Sequence, residues 1–151
     1  MVYCFLLDGM LGSLARWLRI IGYDTLYYTD KEDDDLKKEA QDTGRILLTR
    51  DTELYKQARK QGLDALLIHS EKSVDQLREM VKALDLNVVP SITRCPRCNG
   101  VLKSVEKDEI EERVPKESFR VFNDFWVCVD CSSVYWRGSH WVQIEETLDG
   151  L

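Results

Sequence analysis

Four short apolar runs, each followed by a stretch with helical spacing, organise the first 86 residues of the chain. The runs occupy residues 2–7, 25–28, 46–48 and 65–68. Runs this short and this apolar are typical of strands that a parallel sheet buries on both faces. Their alternation with helices predicts an α/β fold in which a parallel sheet is layered with helices.

The segments between these runs carry apolar residues at helical spacing. In the first segment, Leu11, Leu14, Leu18 and Ile21 recur at intervals of three and four residues, and Gly22 is a natural helix stop. Further helices are predicted before residue 44, over residues 52–61, and up to residue 84 from a capping box at Ser73 and Gln76.

The pattern changes after Pro90. Short β-like runs at residues 119–122, 125–129 and 134–136 replace the helical spacing, and aliphatic residues become scarce. So few aliphatic residues do not form a self-sufficient core. We therefore expect two modules, residues 1–90 and a small β-rich module at residues 91–151.

Four cysteines in two equally spaced pairs explain how so small a module folds. Cys95 and Cys98 are followed, after 29 intervening residues, by Cys128 and Cys131. This spacing supplies four thiolates to a tetrahedral Zn²⁺, and because protein fills every ligand position the predicted site is structural. Two redox pairs or two disulfides are the alternatives. Cys4, inside the first run, is assigned no role.

The composition limits the classes of function. Apolar residues make up 44% and charged residues 32%, which is typical of a globular chain. The net charge of −6 has the wrong sign for coating nucleic acid, so contact with RNA must be local. The apolar runs are far shorter than the roughly 20 residues of a membrane helix, and the first lacks the basic flank of a signal peptide. We expect a cytoplasmic protein with no membrane partner.

Acidic residues follow two of the predicted strands. Asp8 and Asp51 each end a run, and residues 30–35 place a third acidic cluster on the connection before the third strand. The carboxyl ends of parallel strands share one edge of a sheet, so these carboxylates converge there. Such a group requires cations, and Mg²⁺ or Mn²⁺ bound there suits phosphodiester hydrolysis. Simple helix caps and a solvated helix start are the alternatives.

Several neighbouring residues are weaker candidates for the same site. Thr49 is a candidate for orienting a carboxylate, although threonine at a strand end is often only a β-former. Arg16, Arg19 and Arg50 are candidates for contacts with substrate phosphates, although exposed helical arginines are common. Glu53 is a possible fourth carboxylate.

Six segments of the chain match a known family. They are residues 5–19, 22–24, 44–51, 94–98, 128–131 and 135–141. The chain resembles the Mut-seven C-terminal RNase domain family over almost its whole length. The resemblance implies a PIN-type ribonuclease domain followed by a zinc ribbon, with metal-dependent cleavage of RNA by clustered aspartates.

The resemblance also implies roles for individual residues. Asp8 matches the carboxylate after the first strand of PIN domains, and residues 49–51 resemble their Thr-x-Asp signature. Asp33, 18 residues before Asp51, takes the middle position, and Asp34 is the alternative if the register shifts by one. The fourth carboxylate of PIN domains has no clear match in the chain. Glu53 is only close to Asp51 in sequence, and Asp64 precedes a predicted strand instead of following it.

The last third of the chain is rich in aromatic side chains. They are either stacking surfaces for bases or packing for the ribbon core. The residues are Trp126, Tyr135, Trp136, His140 and Trp141, with Arg120 and Arg137 as possible phosphate contacts. His140 has the further alternative of joining the acidic cleft.

Three functions are compatible with these features. The first is a ribonuclease that holds Mg²⁺ or Mn²⁺ on Asp8, Asp33 or Asp34, and Asp51, with the zinc ribbon positioning single-stranded or structured RNA or docking on a ribonucleoprotein. The second is a non-catalytic adaptor associated with RNA or the ribosome. The third is a phosphoacceptor receiver domain, which the chain matches less well because an adjacent acid pair near the first strand and a later lysine are missing.

Overall fold

The computed structural model describes residues 2–151, and its first half alternates four strands with four helices. The elements are β1 (Cys4–Leu7), α1 (Gly12–Ile20), β2 (Asp24–Tyr27), α2 (Asp33–Thr43), β3 (Ile46–Thr49), α3 (Thr52–Lys60), β4 (Ala65–Leu67) and α4 (Ser73–Leu84). All strand pairs are parallel, in the order β2-β1-β3-β4. The predicted parallel sheet layered with helices is confirmed.

Both faces of this sheet are buried. On one face Phe5 and Leu7 pack in a cluster with Leu14 of α1 and Leu77 of α4. On the other face Leu6 joins a second cluster to which α2 and α3 contribute. Successive residues of a strand point to opposite faces, so covering both faces requires the unbroken apolar runs seen in the sequence.

The second half forms a small antiparallel sheet with short helices. Its elements are β5 (Leu102–Val105), a 3₁₀ helix (Lys107–Arg113), α5 (Lys116–Val121), β6 (Phe125–Cys128), β7 (Val134–Tyr135) and α6 (Ser139–Asp149). The strand order is β5-β6-β7, and the buried centre consists of Ile110, Val114 and Phe125. This small core agrees with the predicted shortage of aliphatic residues.

Two local predictions are wrong. The run at residues 119–122, predicted as β-like, is largely helical, because Phe119 and Phe122 lie three residues apart and both pack against the small core. The predicted capping box of α4 does not form. Ser73 makes no cap hydrogen bond, and the Gln76 side chain instead donates to the carbonyl oxygen of Ser70 at 2.9 Å.

The C-terminal helix returns to the first half of the chain. Leu148 of α6 is 4% exposed and joins the cluster that contains Leu14 and Leu77. The division between residues 90 and 91 stays a prediction, and the two halves share a packed boundary. Across residues 2–151, no helix is both long and apolar enough to span a bilayer.

Strand β2 is an edge strand of the parallel sheet. Its outer side is covered at Thr25 by Arg19 of α1 and by Asn99, the residue after the first cysteine pair. Asn99 Oδ1 accepts a hydrogen bond from the buried backbone N–H of Thr25 at 2.9 Å. Arg19 donates through Nε to the carbonyl oxygen of Thr25 and through Nη1 to that of Pro96, at 2.9 and 3.0 Å. Both polar backbone groups of Thr25 are therefore bonded to side chains.

Candidate active site and metal centre

Asp8 and Asp51 are linked at the carboxyl edge of the parallel sheet through the Thr49 side chain. The Thr49 hydroxyl, fully buried at the end of β3, donates to Asp8 Oδ2 at 3.0 Å and accepts from the Asp51 backbone N–H at 2.9 Å. Asp8 Oδ1 accepts from the backbone N–H of Gly9 at 2.8 Å. The hydroxyl therefore fixes one carboxylate relative to the backbone that carries the other.

Helix capping accounts for only one of these two aspartates. Asp51 caps α3, because its Oδ1 accepts the backbone N–H groups of Glu53 and Leu54. Asp8 does not cap α1, whose cap position is Leu11 and which has no side-chain cap bond. Capping therefore gives no explanation for the carboxylate of Asp8.

Asp33 and Asp34 lie in different electrostatic surroundings at the start of α2. Partial desolvation, followed by the negative charges of Asp51 and Asp8, raises the pKa of Asp33 above its usual value. Asp34 is 94% exposed and forms an ion pair with Lys37 at 3.2 Å. Of the two register alternatives, Asp33 is the residue whose charge interacts with the other two carboxylates.

The carboxylates of Asp8, Asp33 and Asp51 have no cationic partner within salt-bridge distance. Every ion pair in the described residues 2–151 involves other acids. A cleft of about 460 Å³ is lined by Asp8, Gly9, Met10, Arg50 and Asp51. Arg50 is half-buried there, and its Nε–H lies buried without a hydrogen-bond partner. The cleft is thus lined by two carboxylates without a cationic partner and by one arginine side chain.

The remaining candidates lie elsewhere. Arg16 is exposed on α1, whereas Arg19 is 6% exposed and its bonds join α1 to the second half of the chain, which favours a structural role over a phosphate contact. Glu53 is exposed and accepts from Gln57. Asp64 precedes β4 and so lies at the opposite edge of the sheet.

The four predicted cysteines come together as one compact cluster. Their sulfur atoms all lie within 4.8 Å of one another. No other group of three or more histidine, cysteine or acidic side chains in residues 2–151 is this compact, and the set Asp8, Asp33 and Asp51 is more widely spaced. Cys95 and Cys131 are 3.7 Å apart and Cys98 and Cys128 are 3.4 Å apart. Zn–S bonds of about 2.3 Å in a tetrahedron place sulfur atoms about 3.8 Å apart. The donor set therefore fits a metal such as zinc.

Each cysteine pair lies in a turn, and the two turns have matching backbone shapes. We call residues 95–100 the first cysteine turn and residues 128–133 the second cysteine turn. Asn99 and Ser132, each directly after the second cysteine of its pair, have φ angles of 73° and 64°. A Cβ on Gly100 would lie 2.6 Å from Cys128 Sγ, so only glycine fits there. The Tyr135 hydroxyl lies 3.0 Å from Cys95 Sγ and serves as the donor when that sulfur is ionised.

The aromatic residues divide between packing and a separate cavity. Trp136 contacts the small core and has its ring edge-on to that of His140, while Arg137 lies over the rings of Trp126 and Trp141. Tyr135, Trp136, His140 and Trp141 line a cavity that shares no residue with the acidic cleft. Arg120 is paired with Glu117.

Sequence reasoning missed Asp24, which joins the two halves of the chain. Its carboxylate accepts from Arg45 at 2.8 Å and from Asn99 Nδ2 at 2.7 Å, and Arg94 lies 3.6 Å away. Burial alone raises the pKa of Asp24, but these hydrogen bonds and the charges of Arg45 and Arg94 outweigh it and lower the pKa below its usual value. No local pattern marks this residue, because its partners are distant in sequence.

Comparison with known families gives one match that spans almost the whole chain. A family model described as the Mut7-C RNAse domain matches residues 3–148. The chain belongs to the Mut7-C RNAse domain family. The match spans both the carboxylate edge and the cysteine cluster, so this Mut7-C domain contains both sites. No curated protein and no solved structure matches the chain.

Membership of the Mut7-C family gives the coarse function. The family description implies a ribonuclease, and RNA is accordingly the implied substrate. The four-cysteine cluster fits metal binding in this Mut7-C domain.

Proposed function

We propose that this Mut7-C domain is a metal-dependent ribonuclease in which Asp8, Asp33 and Asp51 bind Mg²⁺ or Mn²⁺. The observation that carries the proposal is the linkage of Asp8 and Asp51 through Thr49, together with the raised pKa of Asp33 beside them. Hard carboxylate oxygens without a cationic partner are the donors that these ions prefer. Such a site supplies activation of water and stabilisation of the leaving oxygen in phosphodiester hydrolysis.

The protein side chains then have separate tasks. Thr49 holds the Asp8 carboxylate in one orientation, as an outer hydrogen-bond donor does for a metal ligand. The Arg50 guanidinium lines the cleft and offers donors to a phosphate that enters it. Asp51 keeps α3 fixed through Oδ1, which leaves Oδ2 for the cation.

We assign zinc to the four cysteines as a structural ion. All four ligand positions are filled by protein, which favours a closed site without chemistry of its own. The zinc ribbon then positions RNA, or a ribonucleoprotein that presents it, next to the acidic edge. Unpaired cysteines retained as ligands favour a reducing compartment, and we propose the cytoplasm.

The test compares cleavage of end-labelled single-stranded and hairpin RNA by zinc-loaded wild type and two matched variants. Asp33→Asn and Asp34→Asn remove the same charge from neighbouring residues of α2. We expect Mg²⁺- or Mn²⁺-dependent cleavage that falls at least about 100-fold in Asp33→Asn and little in Asp34→Asn. Asp8→Asn should behave like Asp33→Asn.

The outcomes separate the functions. Equal cleavage by wild type and Asp8→Asn would show that the aspartates do not carry the reaction. Binding of RNA without cleavage by wild type would refute the ribonuclease proposal and favour the non-catalytic adaptor. The products also distinguish endonucleolytic from exonucleolytic action.

A further inference from the structure

A cavity of about 130 Å³ lies where six parts of the chain meet. Its walls come from α1, the connection after residue 90, the first cysteine turn, β5, β7 and α6. Tyr135, Trp136 and Trp141 give it an aromatic lining, and Arg16 and Arg97 stand among its other residues. Neither the acidic site nor the cysteine cluster requires such a cavity.

The two arginines are not engaged elsewhere. Both side chains are exposed, and within residues 2–151 neither takes part in an ion pair. Arg94, a third arginine of the cavity, is by contrast bound to the Asn99 carbonyl oxygen and lies near Asp24. In a chain of net charge −6, two free guanidinium groups beside aromatic rings form a local site for an anion.

The size of the cavity limits what fits between the rings. An apolar cavity of about 150 Å³ is known to accept one benzene molecule. A volume of about 130 Å³ therefore matches one six-membered ring, and part of a fused two-ring base would extend out of the open side of the cavity. An aromatic wall for a flat ring and arginines for a phosphate are the recognition elements for a nucleotide.

We infer that this cavity binds a pyrimidine nucleotide of RNA, with the base against Trp136 and Trp141 and the phosphate at Arg16 and Arg97. The inference rests on the proposed function only in taking RNA as the ligand. The cavity would thus contact the RNA strand at a second point, distant from the phosphodiester bond that is cleaved.

Helix α1 connects the cavity with the acidic cleft. The helix begins two residues after Met10 of the cleft, and Arg16 lies one turn further along, about 6 Å from Gly12 at 1.5 Å per residue. A groove lined by Ser13, Arg16 and His140 runs along the same helix. An RNA strand held in the cavity and laid along this groove would run towards the start of α1, where Ser13 lies three residues beyond Met10 of the cleft, and so towards the carboxylates.

A competing explanation is that the arginines offset the charge of the cysteine thiolates. Arg97 lies between Cys95 and Cys98 in sequence and suits that role, whereas Arg16 belongs to α1. The zinc content of each variant therefore has to be measured. A variant at Arg16 tests the cavity independently of the cysteine turn.

The experiment measures binding without cleavage. Zinc-loaded Asp8→Asn protein, with no added Mg²⁺ or Mn²⁺, is titrated with labelled oligouridylate and oligoadenylate of equal length and followed by anisotropy. We expect tighter binding of oligouridylate and about a tenfold loss of that affinity in Arg16→Gln and in Trp141→Leu. Arg59→Gln, on α3 at the other face of the sheet, is the matched control and should change little.

The results separate this inference from the proposed function. Equal affinity for the two oligonucleotides, or unchanged affinity in Arg16→Gln and Trp141→Leu, would overturn the cavity assignment even if the wild type cleaves RNA. Selective binding that depends on the cavity, in a wild type that does not cleave, would uphold the cavity and refute the ribonuclease. In a cleaving protein, Arg16→Gln should also relax the position of the cut relative to a single pyrimidine.

Discussion

Replacing Asn99 tests whether the first cysteine turn stabilises the parallel sheet. Asn99 lies directly after Cys98, is 7% exposed, and binds residues more than 70 positions away in the chain. Asn99→Gly removes both side-chain bonds while keeping the backbone free to adopt a φ of 73°. The variant therefore isolates the side-chain contacts from backbone strain.

The expected loss follows from the two contacts. Removing Oδ1 leaves the backbone N–H of Thr25, a residue with no exposed surface, without a partner, which costs about 1–3 kcal/mol. Removing Nδ2 takes one bond from Asp24, which keeps Arg45 and is 23% exposed, so about 1 kcal/mol is appropriate there. The sum predicts that Asn99→Gly lowers the free energy of unfolding by about 2–4 kcal/mol.

Urea denaturation of zinc-loaded protein, followed by circular dichroism, measures this loss. With a slope of about 2 kcal/mol per molar urea, the midpoint should fall by about 1–2 M. Asn99→Ala should lose about 1 kcal/mol more, because alanine is strained in the left-handed region.

Ser132→Gly is the matched control. Ser132 occupies the equivalent position of the second cysteine turn, with a φ of 64°, and its side chain is exposed. Its substitution should change the free energy of unfolding by no more than about 0.5 kcal/mol. Equal losses in Asn99→Gly and Ser132→Gly, at equal zinc content, would refute the reasoning, because they would show a general effect of loosening a cysteine turn.

Three further predictions concern other parts of the molecule. Thr49→Val should reduce metal-dependent RNA cleavage by about 10–100-fold with little change in secondary structure, and Thr49→Ser should restore activity. Because the pKa of Asp33 is raised in the folded state, its ionised form destabilises the fold, and stability falls as pH rises through that pKa. Asp33→Asn should therefore raise Tm at pH 7 and abolish stabilisation by added Mn²⁺ in a thermal-shift assay, and an unchanged Tm would contradict the charge repulsion. Leu148→Ala should cost about 2–5 kcal/mol in urea denaturation, whereas Val142→Ala, at an exposed site of the same helix, should cost less than about 0.5 kcal/mol.

The parallel sheet and its acidic edge were predictable because they depend on local patterns. Unbroken apolar runs mark strands buried on both faces, and the position of Asp8 and Asp51 after two such runs places them at one edge. The choice of Asp33 over Asp34 stays a proposal, and it rests on contacts that the sequence does not reveal: the charges of Asp51 and Asp8 act on Asp33, whereas Asp34 pairs with Lys37.

Helix α6 and the role of Arg19 were not predictable in the same way. The aromatic residues of the C-terminal segment favoured base stacking or ribbon packing as interpretations, and no helix was predicted there. Trp141, Ile144 and Leu148 nevertheless have helical spacing and lie on α6. Arg19 looks like an ordinary helical arginine until its acceptors, in β2 and in the cysteine turn, are known. Contacts between distant parts of a chain leave no periodic signal in its sequence.

The covering of β2 has a consequence for metal loss if the cysteine cluster holds zinc as proposed. An uncovered edge strand offers unpaired backbone donors and acceptors to any other extended chain. Here the cover over Thr25 includes Asn99 of the cysteine turn, and Arg19 is held partly by Pro96 of the same turn. Chelation of the zinc would release this turn and free the edge to pair with the same edge of a second molecule. On the zinc assignment proposed above, metal-stripped protein should therefore self-associate through its parallel sheet, because the contact that covers Thr25 comes from a cysteine turn whose Asn99 lies 74 residues further along the chain.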